Sequence, residues 1–291
     1  MKFQSVFILF NIILVLFIAI VCFFPTLILG ADRTGFFWRI SWFLPVFLVI
    51  ILVVFDIFFL VNRRLYSLLE KEDWPALVHF LEDKVLRQGR YSNAAVRLLA
   101  NTYLVLSDSP AVMSLENKAA IAKPSLVDDN ALVFGTARIL GRDITGAIRF
   151  FESRINTAKP DLRQWVQWYY AFALLLDRRF ERAQEEFSRL ARISEDGVVA
   201  GLSAFFLGNT IGKSLPEMKF VCESSAAEGK DRVLKVLPQR KDWEKEVEKI
   251  KTEVHAAVLS KYITEAEVWL YGLPEETALS TEAVKEINGD F

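Results

Sequence analysis

The chain has 291 residues, 53% of them hydrophobic, with 35 Lys and Arg against 36 Asp and Glu, a formal charge of −1 and a mean hydropathy of +0.27. Its 13 Gly, 9 Pro and 24 Phe exclude a collagen-like or wholly disordered chain, and the near-neutral charge speaks against a strongly basic nucleic-acid binder. Two cysteines, Cys22 and Cys222, are too few for a disulfide framework or a four-thiolate metal site.

The first sixty-odd residues are bilayer-like. Between Ser5 and Leu29 the only polar side chains are Ser5, Asn11 and Thr26. A helix over 5–29 spans roughly 37 Å, enough for a hydrocarbon core of about 30 Å. A second segment, 40–61, carries one charge, Asp56, and gives roughly 33 Å. The first segment is too long for a signal-peptide core of about 7–15 residues, so both are read as membrane-spanning helices. The short link from Ala31 to Arg39, with Gly35 at its middle, predicts an antiparallel hairpin in which positions summing to about 70, such as Pro25 and Pro45, lie at equal depth. The link holds Arg33 and Arg39; Lys2, Arg63, Arg64 and Lys71 lie on the other side, which favours a cytoplasmic body. Asp56 is expected either to meet Asn11 across the hairpin or to reach towards Arg63 or Arg64. A proton or ion path would call for more intramembrane ionisable groups.

Beyond Arg64 helix formers and 3.6-residue stripes dominate, with no clear strand alternation and no Gly-rich phosphate loop. Two stretches superpose without gaps at an offset of 36: Leu140 to Phe151 and Leu176 to Phe187. The match aligns Ile144 with Phe180, Ala147 with Ala183 and Phe151 with Phe187. In each copy a helix ends, a polar turn follows, and a second helix begins with an apolar anchor, then a small Ala, then a Phe. Ala permits close approach of two antiparallel helices, and Phe fills the space towards the next pair.

This pattern resembles the tetratricopeptide repeat. The small residue twelve positions before the Ala is matched by Gly135 and Ala171. Arg142 and Arg178 stand where the family usually has a turn Gly, Gln167 replaces the leading Trp, and the period is 36 rather than 34. Asp73-Trp74-Pro75-Ala76-Leu77 reads as an earlier turn of the same kind, with Pro75 tolerated in the first turn of its helix, and Ala94–Leu106 begins the next hairpin. Two spans followed by such repeats, with the Asp73-Trp74 turn, also resemble the HemY-type inner-membrane proteins of bacteria. The resemblance implies an all-α chain: a transmembrane hairpin over 1–64, an α-solenoid of helix hairpins over 65–210, an irregular stretch and a long capping helix over 211–273, and a tail over 274–291. The irregular stretch is placed at Gly208–Gly229. The capping helix is placed at Lys241–Tyr271, with Trp243, Val247, Ile250, Val254 and Ala257 along one face and Glu246–Lys249 and Glu248–Lys251 pairs outside.

Little in the chain suggests catalysis. His79 and His255 are the only histidines, neither has a second ligand at metal spacing, and no G-x-S-x-G nucleophile motif occurs. Asp128-Asp129 reads as a helix cap. Neither a cofactor nor a metal is expected, and the chain is read as a non-enzyme. By resemblance, the concave face of the array would offer Arg97, Asn101, Leu132, Thr136, Trp165, Trp168 and Phe172 to a protein or peptide partner; the aromatic run from Trp165 to Phe172 equally suits repeat core. The expectation is an inner-membrane adaptor with no nucleic-acid partner. The alternative is an accessory subunit of a transport or envelope complex whose specificity lies in the membrane hairpin at Asn11 and Asp56.

Overall fold

The computed structural model describes residues 3–30, 35, 38–39, 41–251 and 254–273, and every regular element among them is helical. The chain divides into two units, 1–83 and 84–291. In the first, α1 (Phe3–Leu29) and α2 (Phe43–Glu70) pack together, and α3 (Trp74–Glu82) folds back on the end of α2. Both α1 and α2 are long and apolar enough to cross a membrane. Their less exposed residues, Phe7, Asn11, Leu14, Ile18 and Val21 on α1 and Leu48, Leu52, Asp56 and Phe59 on α2, recur at intervals of three and four, the seam spacing of paired helices. Most of the other described side chains between Ile8 and Val61 on these two helices are exposed and apolar. Most of the link at 31–39 and the tail from 274 lie outside the described residues.

Ring contacts set the register of this pair. Phe7 stacks on Phe59 at 3.6 Å and Phe10 lies 5.4 Å from Phe55, so partners sum to 65–66 rather than the expected 70. Asn11 does not bond to Asp56: its amide donates to the Phe7 carbonyl at 3.2 Å, one turn back on its own helix. The α2 helix continues unbroken from the apolar stretch through Asn62, Arg63 and Arg64 to Glu70, and the Arg64 guanidinium lies over the Phe80 ring at 5.5 Å.

In the second unit, outgoing and returning helices alternate: α4 (Asn93–Val105) with α5 (Ser109–Ala122), then, after a short α6 (Ser125–Asp129), α7 (Ala131–Leu140) with α8 (Ile144–Glu152), and α9 (Pro160–Leu176) with α10 (Phe180–Ile193). They are followed by α11 (Gly197–Phe206), which winds into a π turn at Leu207–Ile211, and α12 (Lys219–Val236). Each returning helix packs on the next outgoing one.

One turn closes three of these pairs and also joins α2 to α3 in the first unit. Glu72, Ser107, Arg142 and Arg178 all have left-handed backbones, with φ of 52°, 59°, 62° and 59°, at intervals of 35, 35 and 36 residues. In each, the left-handed residue's N–H reaches the carbonyl three back and the next N–H reaches the carbonyl five back, as Arg142 to Ile139 at 3.0 Å and Asp143 to Arg138 at 2.9 Å. This is the Schellman closure. The next residue then caps the returning helix: the carboxylates of Asp73, Asp108 and Asp143 accept from the N–H of Ala76, Ala111 and Gly146. In the fourth copy Arg179 supplies no side-chain cap. Ala147, Phe151, Ala183 and Phe187 are all fully buried, and a Cβ on Gly135 would lie 2.0 Å from the Phe151 ring, so α7 and α8 touch backbone to ring at that point.

Three local expectations are corrected. Residues 208–229 are largely helical, not a long loop: Gly208 and Gly212 face Ala226 and Cys222 of α12, and Gly229 of α12 faces Ala191 and Ala204, so these glycines serve close packing rather than turns. The stretch 241–271 is not one helix but α13 (Arg240–Ile250), α14 (Val254–Val258) and α15 (Ser260–Tyr271). Bending lets α13 and α15 pack on α11 while α14 reaches α7; the paired charges Glu246–Lys249 and Glu248–Lys251 are present at 2.6 and 3.1 Å. Asp128 and Asp129 do not cap α7, whose N-cap position is Asn130 without a side-chain cap bond. Their carboxylates reach the next connection instead: Asp129 pairs with Lys159 at 2.7 Å, and Asp128 lies 3.7 Å from Arg154.

Three stability outcomes follow for the purified full chain, read from unfolding midpoints in detergent. Arg142→Gly relieves a left-handed side-chain penalty of about 1 kcal/mol and raises the midpoint, whereas Asp143→Ala removes the cap and costs about 1 kcal/mol. Gly201→Ala places a methyl 2.6 Å from the Trp243 ring and costs about 1–3 kcal/mol through overpacking.

Candidate binding site

The aromatic run of α9 forms the centre of the second unit. Trp168 has no exposed surface. Phe172, Phe187 and Phe206 surround it at centroid distances of 5.2, 5.8 and 5.7 Å, and Tyr262 of α15 closes over Phe172 and Phe206. Tyr169 and Tyr170 are also buried; burial holds the Tyr169 hydroxyl well above the usual phenol range. Trp168 and Phe172 therefore have no face to offer a partner, contrary to the groove expectation. The groove expectation followed the outgoing helices alone; the capping segment packs on α11 through α13 and α15, and Tyr262 of α15 meets Phe172 of α9. Here Trp243 is fully buried against Gly201, and Tyr271 donates to the Leu237 carbonyl at 2.7 Å, with burial pushing its hydroxyl to about 12.

Other groove positions fare differently. Thr136 is buried, and Asn101 is half-buried with its Oδ1 unbonded. Arg97, Leu132 and Trp165, one from each of α4, α7 and α9, line a cavity of about 250 Å³ at the start of the outgoing helices. Asp129, Asn130, Asp161, Leu162 and Asp196 complete its wall, and Lys249 and Ile250 of α13 close the far side.

The wall is held rigidly. The Arg97 guanidinium donates to Asn130 Oδ1 and to the Asp129 carbonyl, both at 3.3 Å. Asn130 in turn donates to Asn93 Oδ1 at 2.7 Å and to the Leu126 carbonyl at 2.8 Å. Trp165 Nε1 donates to Asp196 Oδ2 at 2.9 Å, while the other Asp196 oxygen caps α11 through Val198 and Val199. Gln164 Oε1 accepts from the Asp196 amide and from the Ser194 hydroxyl. The acidic side chains that line the pocket were missed from the sequence; Asp196 three residues before Val199 is an N-cap signal that could have found one of them.

A second polar cluster supports this region. Glu116 pairs with Arg138 at 2.6 Å in largely buried surroundings, and Arg138 and Arg154 face the Phe150 ring at 4.3 and 3.8 Å. Desolvation lowers the affinity of Arg154 for its proton, against the pull of Glu116 and Asp128. Among the described residues no group of three His, Cys, Asp or Glu side chains could hold a metal ion. His79 is exposed, 3.9 Å from Glu82, and the His255 side chain lies outside the described residues.

Deleting the Trp168 ring tests its structural part. Trp168→Ala is expected to cost about 3–5 kcal/mol, seen as a large fall in the unfolding midpoint, while Asp161→Asn at the open rim of the pocket leaves the midpoint within about 0.5 kcal/mol.

Comparison with known proteins gives two matches. A protein-family model described as "Uncharacterised Treponema protein" covers residues 111–272, which run from α5 to the end of α15. A Treponema pallidum (strain Nichols) protein carrying the description "Uncharacterized protein" is 27% identical over 237 residues, 79% of this chain and 74% of the relative. The family match takes in most of the pocket wall and the whole aromatic cluster, and on that extent the chain belongs to this Treponema protein family.

Proposed function

We propose that the chain is a membrane-anchored, non-enzymatic adaptor. In this reading α1 and α2 cross the inner (plasma) membrane as a hairpin with the body in the cytoplasm. The helix pairs of the second unit form a tetratricopeptide-like solenoid that docks a protein or peptide partner. The recurrence of one turn at 35, 35 and 36 residues supports the repeat reading, being close to the period of about 34 of that architecture. The same turn between α2 and α3 marks that pair as a module of the same kind.

The pocket carries the binding part. It gathers a side chain from each of three successive outgoing helices, and its volume of about 250 Å³ falls below the roughly 300–1,000 Å³ of cofactor and drug-sized pockets. A space of that size suits one apolar side chain of a peptide held between Leu132 and Trp165. Arg97 and Lys249 on one part of the rim, and Asp161 on another, offer charge to the flanking peptide backbone and side chains.

One observation favours a second reading, an accessory subunit recognised through its membrane hairpin. Asp56 Oδ1 is buried without a hydrogen bond, and an acidic oxygen within hydrocarbon is costly unless a partner supplies a donor. The two readings separate in cells expressing the tagged full chain, cross-linked before solubilisation. Leu162→Trp fills the pocket and is expected to reduce the cross-linked partner about tenfold while Asp56→Asn leaves it unchanged, provided both variants keep the parent's unfolding midpoint. The opposite pattern selects the hairpin reading, and partners indifferent to both substitutions refute the pair.

A further inference from the structure

The connections that lead from each returning helix to the next outgoing one lie together at one end of the second unit. Asn130 donates to Asn93, Lys159 pairs with Asp129, Ser194 donates to Gln164, and a Cβ on Gly197 would lie 2.7 Å from Leu237. Each link joins one connection to its neighbour, so residues 88–93, 123–130, 153–164, 194–197 and 237–239 form one continuous edge.

This edge is unusual in two respects. Three aliphatic side chains stand bare at the ends of returning helices: Ile121 is 87% exposed, Ile193 63% and Val236 63%. Exposed cations stand on this edge and at the helix ends that meet it, among them Arg90, Lys123, Arg163, Lys235 and Lys241, against the exposed carboxylates Glu152, Asp161 and Glu195. The aspartates 128, 129 and 196 of the same edge are turned inward into ion pairs, caps and the Trp165 bond. The opposite end, where the left-handed turns lie, also exposes Val105, Leu140 and Leu176, but its cations Arg142, Arg178, Arg179 and Lys213 are matched by Asp108, Asp143, Asp177 and Glu217.

We infer that the basic, isoleucine-bearing end of the second unit docks on the anionic surface of a lipid bilayer. Interleaved apolar and cationic side chains are what an interface between anionic headgroups and acyl chains accepts: the aliphatic tips enter the boundary while Lys and Arg remain at headgroup level. Each basic side chain near such a surface contributes about 1 kcal/mol, which corresponds to about fivefold in occupancy. A second copy of this chain is a poorer occupant, because it would set cations against cations. The inference rests on the membrane anchoring proposed above, since a chain tethered by α1 and α2 is held close to lipid and needs only weak attraction to settle on it.

The test uses the full chain with Cys22→Ser and Cys222→Ala, a single dye-bearing cysteine at Ile121, Ile193 or Leu176, and vesicles carrying a nitroxide at headgroup level. In phosphatidylcholine vesicles containing phosphatidylglycerol, quenching is expected to be about threefold stronger at Ile121 and Ile193 than at Leu176, and to fall to parity in phosphatidylcholine alone or at high salt. The double variant Lys123→Gln, Lys241→Gln lowers the docked fraction in the same vesicles. Equal quenching at all three positions, stronger quenching at Leu176, or indifference to the anionic lipid overturns the inference. So does binding of a soluble polyanion, such as polyglutamate, to this end when the vesicles do not quench it. Flotation of the same vesicles at high salt keeps the two readings apart: a chain that does not float refutes the anchoring, whereas one that floats with unquenched dyes refutes only the docking.

Discussion

The architecture depends on a turn in which one residue satisfies two helices. At Asp73, Asp108 and Asp143 the backbone N–H closes the end of one helix and the carboxylate caps the start of the next. Both sets of orphan groups at the hairpin tip are partly satisfied within three residues. So compact a closure leaves the crossing of the two helices little freedom, and the close contacts inside each pair follow from it. Gly135 against Phe151 is the tightest of these. The left-handed Glu72, Ser107, Arg142 and Arg178 carry a conformational cost that glycine would avoid, so the geometry of the turn is maintained against local preference.

Pairs closed in this way must still bury their outer faces, and the chain does so with aromatics on one side and small residues on the other. Trp168 gathers Phe172, Phe187 and Phe206 around it, while Gly201 and Gly229 admit Trp243 and the backbone of α12 at close range. Of the final helices, α13 and α15 pack on α11 and α14 on α7, and a cavity lies where Arg97, Leu132 and Trp165 meet the end of α13.

The helical class, the two apolar spans and the Ala-Phe pairing of α8 with α10 were legible because each is written in local spacing. The turn at Ser107-Asp108 was harder to read, since a left-handed serine has no strong sequence signal, yet it falls at the same interval as its neighbours. Gly208, Gly212 and Gly229 misled because glycine marks both turns and close helix approach, and only the partner surface, here Ala226, Cys222, Ala191 and Ala204, distinguishes the two. The break after Ile250 was illegible for a similar reason: the amphipathic pattern of α13 continues across it, and the bend is dictated by α7 and α11, far away in sequence. Of the residues named for a groove, Arg97 and Trp165 reach the cavity, while Trp168 and Phe172 went inward, since composition alone cannot say which side of an aromatic helix will be covered.

The unbroken course of α2 from Phe43 to Glu70 means that the span and the first hairpin are parts of one rod. Each residue inserted or deleted between Val61 and Leu65 would turn α3 about 100° around that rod relative to the seam with α1. The stretch from Val61 to Leu65 is therefore open to substitution but closed to changes of length, and any rotation of the apolar part of α2 passes directly to the Asp73 turn.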